Sequence, residues 1–247
     1  MNAIETTGLT KRFRGRTAVE DLNLTIAQGE FFALLGQNGA GKTTTIRMLT
    51  CLLAPSAGDA FLMGESISRN AEAAKAHSNL SPQETAIAQN LTVRENLMLI
   101  ARLYGANKAD AAGRSEAAMR EFGLSARARD RAKTLSGGMQ RRLSIAMALI
   151  TKPNVLFLDE PTLGLDVRAR RELWKTISAL KGKVTVVLTT HYLEEAEALA
   201  DRIGIMHEGR LQALGTAAGL CAKANATNFE DAFLALTESE AEKEAAL

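Results

Sequence analysis

The octapeptide "GQNGAGKT", Gly36 to Thr43, follows the apolar run "FFALLG" and opens into a segment of helical character, Lys42 to Leu53. A short apolar run closed by glycine predicts a buried strand. A G-x-x-x-x-G-K-[ST] sequence between strand and helix predicts a loop whose backbone N–H groups wrap a phosphate. The helix start adds a dipole that favours anions. Gly36, Gly39 and Gly41 let the backbone turn inward, with Gln37, Asn38 and Ala40 between them. Lys42 can then reach β- and γ-phosphates, the Thr43 hydroxyl can ligate Mg²⁺, and Thr44 offers a further hydroxyl. A glycine-rich turn that binds nothing is the alternative, and the strand and helix around the loop argue against it.

The rest of the chain continues in the same order of strand, then helix. "NVLFLDEP" (Asn154 to Pro161) predicts a second buried strand, with helix-like "RARRELWKTISAL" after it. "VTVVLTTH" (Val184 to His191) predicts a third, with "YLEEAEALAD" as its helix. "RIGIMHEG" reads as a fourth short strand and "GRLQALG" as a closing hairpin arm. Such alternation implies a mostly parallel sheet covered on both faces. Two regions depart from it. Residues 1–30 carry two short strand-like pieces around "RFRGRT", which suggests an antiparallel edge layer. Residues 84–152 are rich in Ala, Arg and Leu at helical spacing, without a strong strand, and read as a helical insertion. The expected fold is α/β: a P-loop NTPase core with a mostly parallel sheet, an N-terminal antiparallel β layer and a helical insertion subdomain. One domain over residues 1–237 is expected, followed by an acidic tail, residues 238–247, as a frayed helix or disordered end.

Composition narrows the classes. Apolar residues make up 46% and charged residues 23%, ordinary for a globular chain, while aromatics are only 4%. The core therefore has to be built from Leu, Ile, Val and Ala, and single-stranded nucleic acid lacks stacking platforms. A net charge of +2 is too small to imply a polyanionic partner by itself. Its distribution is uneven: Arg127 to Arg142 holds six Lys or Arg and one Asp, and Glu230 to Leu247 six acids and one Lys. Solvated helix faces are the expected reading of both. Cys51 and Cys221 have no metal-ligand spacing and read as reduced thiols. The N-terminus shows no apolar signal region, and no apolar run reaches the roughly 18 residues of a bilayer span.

"VLFLDE" ends its strand with adjacent carboxylates. Neighbours on a strand point to opposite sides, so Asp159 and Glu160 should hold different jobs. After a phosphate loop, the first suits Mg²⁺ and the second an attacking water. A strand-end carboxylate that caps the next turn is the bland reading. His191 closes "VVLTTH", where side chains at carboxyl ends of parallel strands meet the ligand crevice. An ordinary polar residue at a sheet edge is equally compatible with its sequence, as is a surface loop for Gln83 in "SPQE".

Taken in order, the phosphate loop, "SPQE", "LSGGMQRR", "LFLDEPTLGLD" and "TTH" resemble an ABC-type ATPase, the nucleotide-binding subunit of ABC transporters, over residues 4–215. That resemblance implies roles. Phe13 corresponds to the aromatic that stacks on adenine, and Gly36 to Thr44 to the Walker A loop. Gln83 corresponds to a glutamine that senses Mg²⁺ and joins the core to the helical insertion. Asp159 and Glu160 correspond to the Walker B aspartate and the catalytic base, Asp166 to the D-loop at a subunit boundary, and His191 to the switch histidine. The resemblance implies catalytic roles for Glu160, His191 and Gln83, and Mg²⁺ contacts for Thr43, Gln83 and Asp159. It also implies a head-to-tail pair in which Ser136, Gly137 and Gly138 of one chain close over ATP held by the other. Met139 stands where glutamine is usual, Gln37 where proline is frequent, and Phe13 where tyrosine is more frequent. None of these departures removes a phosphate ligand.

"NLTVRENL", "THYLEEAEALADRI" and "NFEDAFLALT" look like the drug- and lipid-exporter branch. The expected function is an ATP-hydrolysing subunit that powers an exporter of drugs, lipids or similar hydrophobic molecules. Its expected cofactors are ATP and Mg²⁺. Its expected partners are a separate transmembrane permease chain and a second copy of itself, with no nucleic acid. The permease should hold it at the cytoplasmic face of the membrane, through residues 84–104. The alternatives are an ABC ATPase acting on ribosomes or nucleic acid, and a module that binds ATP without turnover. The first usually has two ATPase domains or a long coiled coil, and the second would lose Glu160 or His191.

Overall fold

A computed structural model describes residues 1–238; the acidic tail lies outside the described residues from position 239 onward. The elements run β1 (Asn2–Phe13), β2 (Arg16–Ala27), β3 (Phe31–Leu35), α1 (Lys42–Leu49), β4 (Ala57–Leu62), β5 (Glu65–Ser66), α2 (Ala71–Ala76) and β6 (Ser78–Ser81). Three helices follow, α3 (Val93–Leu103), α4 (Lys108–Glu121) and α5 (Gly137–Leu149). The chain then alternates again through β7 (Val155–Asp159), α6 (Val167–Ser178), β8 (Thr185–Thr190), α7 (Leu193–Leu199) and β9 (Arg202–His207). It closes with β10 (Arg210–Gly215), α8 (Ala217–Ala224) and α9 (Phe229–Thr237).

Two sheets result. One has the order β2-β1-β4-β5 and is antiparallel. The other has the order β10-β9-β3-β8-β7-β6 and is parallel except for β10. The expected α/β class and its antiparallel N-terminal layer are therefore present. β3, β7 and β8 are buried along their whole length, which explains why they read as unbroken apolar runs rather than as alternating ones. Successive side chains enter different cores. Leu156, Leu158, Val186 and Leu188 pack against the layer of α3 to α6. Val155, Phe157 and Val187 instead face α1 and the antiparallel sheet through Ile46, Met48, Leu9 and Leu62. A third cluster joins Ala33, Leu35, Ile203 and Ile205 to α8 and α9 through Leu220 and Phe229.

Register is what matters for chemistry. Leu35 is level with Thr190, Asp159 with Thr189, and Ser81 with Leu158. The carboxyl ends of β3, β8, β7 and β6 therefore form one rim, and the segments leaving it carry Gly36, His191, Glu160 and Gln83.

The sequence reading is off in extent at several places. β1 and β2 are long strands of 12 residues each, paired from Asn2 with Ala27 to Phe13 with Arg16. The helix expected to reach Leu53 stops at Leu49. β4, β5 and β6 have no apolar run to announce them: β5 is two residues long, and β6, "SNLS", is an edge strand paired only with β7. Within residues 84–152, the first turn of α3 carries a capping box of Thr92 and Glu95. Helix α5 lies against the sheet, where Ser144 Oγ is 2.9 Å from Ser81 Oγ.

Phe157 is fully buried between the parallel sheet and the layer of α1 and the antiparallel sheet, so truncating it opens a cavity there. Phe157→Ala is expected to lower unfolding free energy by about 3–5 kcal/mol, read from urea denaturation. A change under about 1 kcal/mol would show that the layers repack around the gap.

Candidate functional site

The phosphate loop is held from below by main chain. Gly36 N–H donates to Thr190 O at 3.3 Å, which fastens the loop to the end of β8. Gly41, the residue before α1, has φ of +104°, and a Cβ added there would stand 2.4 Å from Ala18 O on β2. Only a residue without a side chain lets the loop and β2 approach this closely. Lys42 is 5% exposed; its ammonium donates to Gly36 O at 2.7 Å and Gln37 O at 3.2 Å.

Charged groups converge above the loop. Lys42 Nζ lies 3.2 Å from Glu160 Oε1, and His191 Nδ1 lies 2.7 Å from Glu160 Oε2. Asp159 faces elsewhere: its Oδ1 accepts from Thr43 Oγ1 at 3.1 Å and Thr189 Oγ1 at 2.5 Å. The two carboxylates thus have separate partners, as expected, but strand alternation is not the cause. β7 ends at Asp159, and Glu160 has φ of +48°, a left-handed conformation costly for a side-chain-bearing residue. Hydrogen bonds from Glu160 N–H to Thr189 O and Oγ1, both 3.1 Å, hold that turn. The backbone reversal returns the Glu160 side chain over Lys42.

Phe13, Asn38, Gly39, Gly41, Lys42, Thr43, Thr44, Gln83, Glu160 and His191 line one cleft of 390 Å³. Asp159 sits buried behind Thr43, while Gln37 and Ala40 line an adjoining depression beside His207. Phe13 is 49% exposed, so it is no core residue, and Lys11 Nζ lies 5.3 Å from its ring. The hollows of 560, 740 and 440 Å³ elsewhere include no residue of the phosphate loop, whereas the adjoining depression, of 480 Å³, is lined by Gln37 to Ala40.

Ser136, Gly137, Gly138 and Asp166 lie outside the cleft. Ser136 caps α5, its hydroxyl accepting from Met139 N–H at 3.4 Å, and Asp166 caps α6, accepting from Ala169 N–H at 2.8 Å. The two helix starts are packed side by side: a Cβ on Gly138 would come within 3.2 Å of Ala169 Cβ.

Three contributors went unread in the sequence. Arg16 donates to Gly39 O at 2.9 Å and carries no motif. Thr189, whose hydroxyl donates to the Asp159 carboxylate and accepts from the Glu160 backbone N–H, stood in plain sight in "TTH". Arg141 corrects the expectation of a solvated basic face. It is 5% exposed, and its guanidinium donates to Pro82 O and Gln83 O, anchoring the Gln83 loop to α5. Desolvation lowers its pKa from the usual arginine range, opposed by the nearby Asp159 and Glu195. Neighbouring Arg127, Arg129, Arg131 and Lys133 are exposed as expected.

A small hard cation fits at Thr43 and Asp159, whose oxygens are already 3.1 Å apart. Among the described residues no cluster of three or more His, Cys, Asp or Glu could hold a metal alone. That suits Mg²⁺, which takes one or two protein ligands and fills its shell with water and phosphate oxygens.

A protein-family model described as "ABC transporter" matches residues 19–163. The daunorubicin/doxorubicin resistance ATP-binding protein DrrA of Streptomyces peucetius is 45% identical over 216 residues, 87% of this chain and 65% of that protein. The chain thus spans somewhat less than two thirds of that relative. The Nod factor export ATP-binding protein I of Paraburkholderia xenovorans (strain LB400) is 43% identical over 222 residues, 89% of this chain and 73% of that one. A solved structure titled as an ATP binding subunit of an ABC transporter superposes with a TM-score of 0.84 at 30% identity, covering 96% of this chain and 100% of that one.

The close approach at Gly41 makes a prediction. Gly41→Ala drives a methyl into Ala18 O and is expected to weaken binding of a fluorescent ATP analogue by more than about tenfold, or about 1.4 kcal/mol. At Gly39 an added Cβ meets only the tip of Arg16, at 3.5 Å, so Gly39→Ala should lose less. Equal affinities for the two variants would contradict this account of the loop.

Proposed function

The chain belongs to the ABC transporter family, and from that membership we propose that it is the ATP-hydrolysing subunit of an exporter of drugs, lipids or similar hydrophobic molecules. The observation that carries the reading is the convergence of Lys42, Thr43, Asp159, Glu160 and His191 at one rim of a parallel sheet. A resistance protein and an export protein among the relatives support the direction of transport. Those relatives are transporter ATP-binding proteins, which does not favour an ATPase acting on ribosomes or nucleic acid.

ATP is the substrate. Its phosphates take up Lys42 and the loop N–H groups, and Phe13 offers an exposed ring to the adenine. Lys42 neutralises Glu160 at 3.2 Å, so movement of the ammonium toward phosphate frees Oε1 as a proton acceptor. Glu160 takes a proton from water as the water oxygen bonds to the γ-phosphorus. The bond from that phosphorus to the β–γ bridging oxygen breaks, releasing ADP and phosphate. His191, 2.7 Å from Oε2, holds the carboxylate in orientation. Mg²⁺ would be held by Thr43, Asp159 and the Gln83 amide, and when bound it supplies charge neutralisation on the phosphates.

A second copy completes each site. Ser136 and Gly137 are exposed at the start of α5, outside their own chain's cleft, in a position that suits capture of phosphate on a facing chain. Residues 84–152 form the helical insertion that carries this segment. A separate permease chain anchors the protein peripherally at the inner membrane face. Among the described residues no helix is long and apolar enough to cross a membrane. Leu99, Leu103 and Tyr104, exposed toward the end of α3, suit a contact with the permease.

Two experiments test this reading. Glu160→Gln preserves shape but cannot accept the proton; phosphate release should fall by about 10²–10⁴ with ATP binding retained. An unaltered rate would remove Glu160 as the base. In a Glu160→Gln background, Lys42→Ala and Ser136→Arg chains should each trap no ATP alone. A mixed dimer should trap one ATP, in the site that joins the loop of the Ser136→Arg chain to the α5 start of the Lys42→Ala chain. Absence of trapping in verified mixed dimers would exclude sharing between chains.

A further inference from the structure

Glu195, on α7, is a fully buried carboxyl that the hydrolytic reaction as described does not use. One of its oxygens, Oε1, accepts from Trp174 Nε1 on α6 at 3.0 Å. Among the described residues the other, Oε2, has no hydrogen-bond partner, and neither has the equally buried Oγ1 of Thr162. Thr162 belongs to the turn that follows Glu160, where Leu163 N–H donates to Glu160 O at 3.2 Å. Thr190, also fully buried, precedes His191, and its hydroxyl accepts from Tyr192 N–H at 3.0 Å. One carboxyl therefore stands where α6, the Glu160 turn and the His191 strand end meet.

We propose that Glu195 is a positioning residue for the Glu160–His191 pair, acting as a proton-bearing hydrogen-bond hub among Trp174, Thr162 and Thr190. The proposal rests on the ATPase reading given above. Geometry argues for the proton. An ionised carboxylate without solvent contact is costly unless a cation pairs with it, and among the described residues none lies within 4.0 Å of Glu195. Charged groups on the surrounding elements are engaged elsewhere or bear the wrong sign. Arg141 on α5 already donates to the Pro82 and Gln83 carbonyls. Arg170 on α6 stacks 4.7 Å from the Tyr192 ring. Glu160, beyond β7, bears the same sign of charge and opposes ionisation. A proton on Oε2 gives Thr162 or Thr190 a donor and removes that repulsion. In agreement, burial pushes the Glu195 carboxyl above the usual range, and the Glu160 charge adds to that push, against the lowering effect of the Trp174 N–H and the neighbouring threonine hydroxyls.

The fold supplies its own probe, because Trp174 is the one tryptophan of the sequence. Full-length wild type, Glu195→Gln and Glu195→Ala are compared by Trp174 emission against pH and by ATP turnover. At neutral pH the wild-type and Glu195→Gln spectra should coincide, since the amide imitates the neutral acid. Raising the pH beyond the ordinary carboxylate range should shift the wild type alone and lower its turnover relative to Glu195→Gln. Glu195→Ala should lower kcat by about tenfold with an unaltered KM for ATP, and Glu195→Gln should restore it to within about twofold of wild type. Should Glu195→Ala not fold, Trp174→Phe, which lacks the N–H, replaces it in the turnover arm with the same expected loss.

Three results would overturn the proposal. The first is a wild-type emission change between about pH 4 and 5 toward the Glu195→Gln spectrum, which would mean an ionised carboxylate at neutral pH. The second is a folded Glu195→Ala that turns over as fast as wild type, and the third a Glu195→Gln as slow as Glu195→Ala. A wild-type chain that binds ATP without hydrolysing it would overturn the functional reading and the positioning role with it. The Trp174 titration decides the state of Glu195 independently of that outcome.

Discussion

The in-register parallel pairing of β3, β8 and β7 is the constraint on which the site depends. Leu35 is level with Thr190 and Asp159 with Thr189, so the three strands end within one residue of each other, in the alignment that keeps both faces buried. A slip of one residue would exchange Leu156 and Leu158 with Phe157 between two different cores. The chemistry therefore inherits its geometry from packing. The phosphate loop, Glu160 and His191 converge because their strands end together.

Convergence has an electrostatic consequence. Lys42 and Glu160 are both nearly inaccessible, and each would be expensive to bury alone. Their 3.2 Å contact, completed by His191 and the Gly36 carbonyl, offsets that cost without any one group being left unpaired. The same arrangement keeps the ammonium beside the glycine-rich turn where phosphate would arrive. Asp159 remains outside this cluster, committed to Thr43 and Thr189, so the two carboxylates differ in chemistry through their partners.

A second tier surrounds the first. Arg141 ties the Gln83 loop to α5, and the starts of α5 and α6 abut at Gly138 and Ala169. Helix α6 in turn grips α7 and the segment before it through Trp174 with Glu195 and Arg170 with Tyr192. Packing is thus continuous from the exposed Ser136 and Asp166, through α6, to α7 and the segment that follows His191.

The sequence by itself determined the local elements of this protein. "GQNGAGKT" specifies a turn and a helix start through glycine conformations and a fixed spacing. The apolar runs of β3, β7 and β8 specify strands buried on both faces, and the motif order specifies the family. These are properties of neighbours along the chain, so they are legible there. The tertiary structure alone decided the rest. It made Arg141 an internal anchor rather than one more member of a basic face, turned Glu160 back over Lys42 by a left-handed residue, and enclosed Glu195 with no cation beside it among the described residues. It also paired β6, too polar to announce itself, to the edge of β7. Each of these depends on which groups meet across distant parts of the chain and lose their water together. A side chain's identity gives its charge and its hydrogen-bonding atoms; only the folded surroundings decide whether solvent or a specific partner satisfies them.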